Sequence, residues 1–463
     1  MKRFPVLVIV TLLVAILQPI HAGWTRTYGG VEMEWGGKLL ECPDGNYVVL
    51  GATASYEAGK GAIWLLKINE EGDTLWTRTY SGDSADSPAW FEETSDSGYI
   101  IVGNTRSFGA EDVDIWLIKT DRNGDTLWTK TYGGPEDQWA TYVGQTLDGG
   151  YMIIGETESF GPCDDGNIWV IKTDSKGDTL ITHFYGDTLY NDLDCANRST
   201  PGHYVMVGAI WSVSDEYYSM IEIDWEGHEW SSYPYDPRGY TPTIITHVQL
   251  GHAGHVLSGG AYHIDDVSGG PALWISEASL RDGYEVWSAR YGGYDSEVFE
   301  VGNCIRQTTD SGYIVASNYW TLIKTDKVGD SLWTRTYEGY PKYVLSTSDS
   351  GYLVTGLRDG DLWLLKTDAN GDTVTVGVEE QVIDPPVEWS VLSPIGRRIR
   401  LRYTNYPQGF HAEVFNATGQ KVDELHATGA FGTITWGKGH SPGVYFIRDV
   451  WESGVTKKVV LVR

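Results

Sequence analysis

The chain repeats itself, and that repeat limits the fold more than any other feature. Trp76-Thr77-Arg78-Thr79-Tyr80 recurs as Trp128-Thr129-Lys130-Thr131-Tyr132, Trp287-Ser288-Ala289-Arg290-Tyr291 and Trp333-Thr334-Arg335-Thr336-Tyr337, with weaker copies starting at Ile181 and Trp230. A second phrase sets a Tyr before an apolar run, at Tyr47, Tyr99, Tyr151, Tyr204, Tyr313 and Tyr352, with His255 at the remaining place. A third phrase ends in Lys67, Lys119, Lys172, Lys324 and Lys366, and in Glu222 and Glu277 in two divergent copies. Self-similarity of this period marks stacked copies of one unit, each burying its apolar faces against its neighbours.

Each unit reads as four short strands. In the second these are 89–94, 99–104, 114–120 and 126–132, runs filled with β-branched and aromatic residues. Asp96-Ser97-Gly98 and Asn123-Gly124-Asp125 lie between them as hairpin signals, because such residues accept positive φ. Gly 56, Trp 20 and Tyr 29 agree with turn-rich β structure, and no useful helical period appears. The expectation is an all-β chain led by a seven-bladed β-propeller of four-stranded antiparallel blades. The seventh unit lacks its Trp phrase, which stands instead at Trp24-Thr25-Arg26-Thr27-Tyr28. An N-terminal strand should therefore close the last blade and remove two open sheet edges.

The run Lys119-Thr120-Asp121-Arg122-Asn123-Gly124-Asp125-Thr126-Leu127-Trp128 resembles the quinoprotein-like propeller superfamily, where a similar turn leads to an outer-strand Trp that docks on the next blade. The resemblance covers residues 24–373 and implies architecture. Cofactor-using members rely on vicinal cysteines and a calcium site, and this chain has no Cys-Cys pair, so no cofactor is expected. Cys42, Cys163, Cys195 and Cys304 suit neither a disulfide framework nor metal knuckles and read as small buried residues.

The two ends read as addresses. Met1-Lys2-Arg3 precedes an apolar run to Ile20, and Ala22 puts a small residue before Gly23, the order of a cleaved secretory signal over 1–22. No other stretch is long and apolar enough to span a bilayer. The propeller then covers 23–374 and a linker with Pro385-Pro386 covers 375–388. Residues 389–463 alternate like a small Ig-like β-sandwich. There Phe415-Asn416-Ala417-Thr418-Gly419-Gln420-Lys421-Val422, Trp436, Ser441-Pro442-Gly443-Val444-Tyr445-Phe446 and Lys457-Lys458-Val459-Val460-Leu461 follow in order. This resembles the C-terminal sorting domains of type IX secretion and the related FlgD-like Ig fold, although Ser393-Pro394 replaces the usual opening Asn-Pro. The resemblance implies recognition by secretion machinery, passage through the outer membrane, and an extracellular or cell-surface location.

Charge narrows the partners. The chain totals −29. The tail carries +1 and the first 22 residues +2, which leaves −32 on residues 23–374. Nucleic acid needs a cationic face and is excluded as a partner; cationic proteins or carbohydrates fit better. Six residues before each Tyr or His marker stand Glu41, Glu93, Gln145, Arg198, Gln249, Gln307 and Ser346, all polar, on the strand that lines a propeller's channel. They are the candidate binding ring. His252 and His255, with Asp265 or Asp266 nearby, are candidate metal ligands. The turn Asp121-Arg122-Asn123-Gly124-Asp125 reads as Asp accepting backbone N–H groups rather than as a calcium loop. No nucleophile or phosphate-loop motif occurs. The chain reads as an exported binding or scaffold module; the alternative is a glycan-cleaving hydrolase or lyase using channel carboxylates such as Glu41 and Glu93.

Overall fold

Alternation within each repeat decides how the sheets stack. The computed structural model describes residues 23–55, 60–109, 112–163, 166–185, 191–211, 216–235, 245–251, 255–259, 273–279, 285–291, 302–318, 320–373, 388–391, 395–396, 398–404, 409–428, 432–450 and 456–462. Among them no helix is long and apolar enough to cross a membrane. The chain divides into two compact units, Met1–Thr375 and Val376–Arg463.

The first unit is a propeller of seven four-stranded antiparallel sheets among the described residues. Blades 1 to 6 run in chain order over 34–80, 86–132, 138–185, 191–235, 247–291 and 302–336. Blade 7 takes three strands from 340–367, and its outer strand is Trp24–Tyr28. Each first strand neighbours the first strands of the blades on either side, and the ring closes from blade 7 to blade 1.

Both faces of the middle strands are buried, which is why they read as unbroken apolar runs. Val48, Leu50, Ile63 and Leu65 pack with Phe91, Tyr99, Ile101 and Ile118 of blade 2. The alternate residues Val49, Trp64 and Leu66 pack on Leu353, Leu362 and Leu364 of blade 7. No blade could bury both faces alone, so the stacking supplies most of the stabilisation.

The repeated phrases meet at the blade junctions. Trp76 contacts Tyr99 of the next blade, and Trp128, Trp287 and Trp333 meet Tyr151, Tyr313 and Tyr352 in the same way. The Tyr ending each phrase donates its hydroxyl to the turn-glycine carbonyl of the following blade: Tyr80 to Gly124, Tyr132 to Gly177, Tyr185 to Gly227, Tyr291 to Gly329 and Tyr337 to Gly371. Those glycines hold positive φ, 75° at Gly124, and a Cβ on Gly124 would sit 3.0 Å from the Trp76 ring. Asp121 Oδ1 accepts the N–H groups of Asn123 and Asp125, and Asp125 pairs with Arg78 of the preceding blade. The Asp-rich turn is thus a hairpin tied to its neighbour.

The N-terminal strand repeats this junction. Trp24 pairs with Lys366 as Trp76 pairs with Lys67, and Tyr28 donates to Gly72 O of blade 1 at 2.5 Å. Trp363 Nε1 donates to Thr25 Oγ1.

The repeated Lys has a local partner. Lys67, Lys119, Lys172, Lys324 and Lys366 pair with Asp44, Asp96, Asp148, Asp310 and Asp349 of the first hairpin in their own blades. Burial opposes ionisation of Asp96, but hydrogen bonds from Thr94, Lys119 and the Gly98 N–H, with the Lys119 charge, outweigh it and bring the carboxyl down to about 2. In blade 4 Glu222 takes the Lys place and accepts from Ser199, while in blade 5 Glu277 accepts from Trp287 Nε1. The weak copy starting at Trp230 is out of register: Ser231 pairs with Glu222 in the Trp place, and Trp230 is 69% exposed.

The second unit pairs Glu388–Val391, Ile399–Thr404 and Gly432–Trp436 in one sheet and Ile395–Gly396, Thr456–Leu461, Gly443–Asp449, His411–Asn416 and Lys421–His426 in another. Trp389, Leu401, Val414, Trp436, Ile447 and Val459 contribute to its core. The Asn416–Gln420 segment is a turn in which Asn416 Oδ1 accepts from Thr418 and Gln420 N–H, with Gly419 at φ 80°. Ser393-Pro394 lies outside the described residues.

Deleting residues 23–30 should lower the propeller's melting temperature by about 10 °C or more, because it strips a strand and its junction from blade 7. Tyr28→Phe and Tyr80→Phe should each cost about 1 kcal/mol. Differential scanning fluorimetry checks both, and an unchanged melt in the deletion removes the closing role.

Candidate functional site

The first strands end at the expected ring. Glu41, Glu93, Gln145, Arg198, Gln307 and Ser346 pair with Tyr47, Tyr99, Tyr151, Tyr204, Tyr313 and Tyr352. Gln249 does not belong with them, because it pairs with Leu257. Leu250 pairs with Val256, and Val256 with Ala278, so Leu250 and Val256 take the ring and marker places in blade 5. The His255 marker is therefore one residue out of register, and the ring is not polar throughout.

Several of these residues brace the preceding blade. The Glu41 carboxylate accepts from Ser348 N–H and Oγ of blade 7, and Gln145 Oε1 accepts from Ser95 N–H of blade 2. By the same pattern the donor to Glu93 would be Pro43, which has no N–H. Burial, aided by Asp44 and opposed by Lys67, raises the Glu93 carboxyl above its ordinary value. Arg198 donates to Gln145 O, while Gln307 Nε2 and Ser346 Oγ are buried without partners.

A second layer carries more chemistry. Nine residues before the structural marker stand Lys38, Trp90, Tyr142, Cys195, His247, Cys304 and Tyr343, and two residues further along come Glu92, Gln249 and Arg306. Blades that are not neighbours touch only across the axis, and here they do. Arg198 of blade 4 donates to Glu92 Oε2 of blade 2 at 3.1 Å, and the His247 and Tyr343 rings, from blades 5 and 7, lie 6.3 Å apart. Small residues make the room. A Cβ on Gly144 would fall 2.4 Å from the Tyr142 hydroxyl and 2.9 Å from Arg198.

The charges of this layer do not cancel. Glu92 is engaged twice, by Arg198 and by the Tyr142 hydroxyl at 2.7 Å. Lys38 Nζ sits 3.5 Å from the Trp90 ring centroid and makes no ion pair among the described residues. Arg306 spans the Tyr343 ring at 4.6 Å and donates to the neutral Gln249 Oε1 at 3.0 Å. Burial pushes the Lys38 ammonium well below its ordinary value; Glu92 opposes that, and Arg306 and Arg198 add to it. His247 is 6% exposed, and neither ring nitrogen has a partner among the described residues. Burial, then Arg306 and Lys38, hold it neutral. Tyr204 Oη and Trp90 Nε1 are also buried and unpaired. Converging polar groups without partners are the mark of a site that binds.

The other candidates are weaker. His252, Asp265 and Asp266 lie outside the described residues, as does the His255 side chain; its backbone opens the strand His255–Gly259. Ligand atoms of His411, Glu424 and His426 come within 4.8 Å of one another on an exposed hairpin, but Lys421 pairs with Glu424 there. All four cysteines are buried as thiols. Sequence reasoning missed a carboxyl pair: Glu156 and Asp192, on facing strands of blades 3 and 4, share a hydrogen bond, and Leu193 N–H donates to Glu156. Burial and the Asp192 bond push Glu156 up to about 8.

No family model matches the chain, and no curated protein matches it. Among solved structures it is similar to PorZ, described as an essential bacterial surface component of the type-IX secretion system of Porphyromonas gingivalis, at 12% identity and TM-score 0.44. That match covers 91% of this chain, which spans 59% of the PorZ length. It is also similar to BamB from Moraxella catarrhalis, at 12% identity and TM-score 0.41, over 74% of this chain and 98% of that one. These likenesses are distant, and the fold rests on the strand pairing above.

The raised Glu156 carboxyl ties stability to pH. The folded chain holds that proton more tightly than the unfolded chain does. Stability should therefore fall as pH rises from about 4.5 toward 8. Glu156→Gln should flatten that part of the melting profile and raise the melting temperature at the alkaline end.

Proposed function

We propose that this chain is an exported binding propeller of the cell envelope or surface, with its ligand site in the channel and its C-terminal sandwich serving as the export address. The observation that carries the binding half is the group converging on the axis: His247, whose ring nitrogens have no partner among the described residues, Lys38 on the Trp90 face, and Arg306, which donates to the neutral Gln249 oxygen. Leaving such groups unpaired inside a stable fold costs about 1–3 kcal/mol each, which a ligand would recover. The lytic alternative loses support at Glu41, whose carboxylate Ser348 occupies, though not at Glu93, which has no such donor.

The export half rests on the two ends. The pattern of residues 1–22 is that of a secretory signal, and the first described strand begins directly after it, at Trp24. In the tail, the Phe415–Val422 phrase forms a hairpin, and the Val444 and Val459 phrases form adjacent antiparallel strands. The partners this implies are the secretion machinery at the tail and a small or glycan ligand in the channel.

Removing residues 388–463 should leave the propeller folded and trapped in the periplasm, while the full chain reaches the surface. Fractionation with surface protease accessibility checks this. Surface display of the truncated chain would overturn the export role.

A further inference from the structure

One layer of the channel gathers charge opposite in sign to that of the propeller around it. Residues 23–374 carry −32, yet among the described residues the axis gathers Lys38, Arg198 and Arg306 around a single carboxylate, Glu92. That carboxylate is already satisfied by Arg198 and Tyr142. Lys38 meets only aromatic faces, Trp90 at 3.5 Å and Phe91 at 5.8 Å, and Arg306 meets the Tyr343 face and one neutral oxygen. Two basic groups are thus held at the axis, and neither makes an ion pair among the described residues. Both side chains are half-buried, and withdrawing a charge from water without pairing it is costly. Next to them His247 offers an imidazole with both nitrogens unpartnered, one able to donate and the other to accept.

We infer that the channel centre binds an oxyanion, held by the Lys38 ammonium and the Arg306 guanidinium with His247 Nδ1 or Nε2 as a further donor. This deepens the reading of the channel as a ligand site and rests on it. A guanidinium and an ammonium converging from different blades suit a carboxylate, sulfate or phosphate, because charge-assisted hydrogen bonds to such groups are about twice as strong as neutral ones. The oxyanion is either free or the acidic group of a larger molecule such as a uronic-acid sugar. The aromatic rings of Trp90, Tyr142 and Tyr343 provide apolar walls for a body attached to it. The acidic exterior sets the specificity: anions are repelled from the general surface and accepted at one place.

The test is isothermal titration of the mature full chain, residues 23–463, at constant ionic strength set with chloride. The probes are sulfate, phosphate, glucuronate and glucose. The expected result is one site per chain for at least one oxyanion and no heat with glucose. Lys38→Met and Arg306→Gln should each weaken binding by about tenfold or more, while the exposed-turn control Lys327→Met leaves it unchanged. Binding of glucuronate alone assigns the acidic group of a sugar, and binding of sulfate or phosphate assigns the free ion. The melting temperature of each variant without ligand keeps the test clear of misfolding. Lys38→Met, which removes an unpaired charge, should melt no lower than the parent. Should Lys38→Met fail to fold, stabilisation of the parent by an oxyanion over chloride, lost in Arg306→Gln, supports the oxyanion site equally. Glucose bound as tightly as glucuronate, or oxyanion binding that both variants retain, overturns the oxyanion inference and leaves the channel as a site. Silence from all four probes and from a panel of neutral glycans overturns both.

Discussion

A four-stranded blade has two apolar faces and no means of covering either. Everything in the propeller follows from that shortage. Val48 and its alternates must find blade 2, and Val49 and its alternates must find blade 7. A line of such blades would leave a bare face at each end, so only a ring satisfies all of them. Where the outer strand keeps its Trp and Tyr, the two act as the fastener, with the Trp ring on the next blade's Tyr and the phenol on its turn glycine. One junction, from blade 4 to blade 5, falls partly on residues outside the described set. The other six repeat the same hydrogen bond, including the one from Tyr28 to Gly72.

Those contacts are legible in the sequence because they are made between neighbours, and neighbours are copies. A Trp, a Gly and two Tyr must recur at fixed offsets for the junction to recur, so periodicity exposes them. Where the copies drift, the offsets fail. In blade 5 the marker is Val256 rather than His255, and in blade 4 the outer strand sets Ser231 where a Trp is expected. Gln249 falls outside the ring for that reason: it stands six residues before His255, whereas Leu250 stands six before Val256, so the hairpin keeps the common spacing and only the marker is shifted.

The channel obeys another rule. Contacts across the axis join blades that are not adjacent, so each position answers to a different partner and no one residue type runs around the ring. Counting nine back from the markers gives Lys, Trp, Tyr, Cys, His, Cys and Tyr, which resembles noise in a repeat search. The two Cys and Gly144 are informative there, since they are small where larger residues must cross. The polar ring read from the sequence lies one layer away, and much of it is occupied in bracing hairpins. The third-strand Lys residues, prominent in the sequence, serve their own blades.

The strand Trp24–Tyr28 imposes an order on folding. Thr25 and Leu364, which meet in the finished sheet, are 339 residues apart. Closing a loop of that length costs on the order of 5 kcal/mol in chain entropy before any contact repays it. The strand Trp24–Tyr28, made before the rest of the propeller, is thus the last to find its place. Until the strand Asp361–Thr367 is made, the backbone donors and acceptors of Trp24–Tyr28 stay open to other chains.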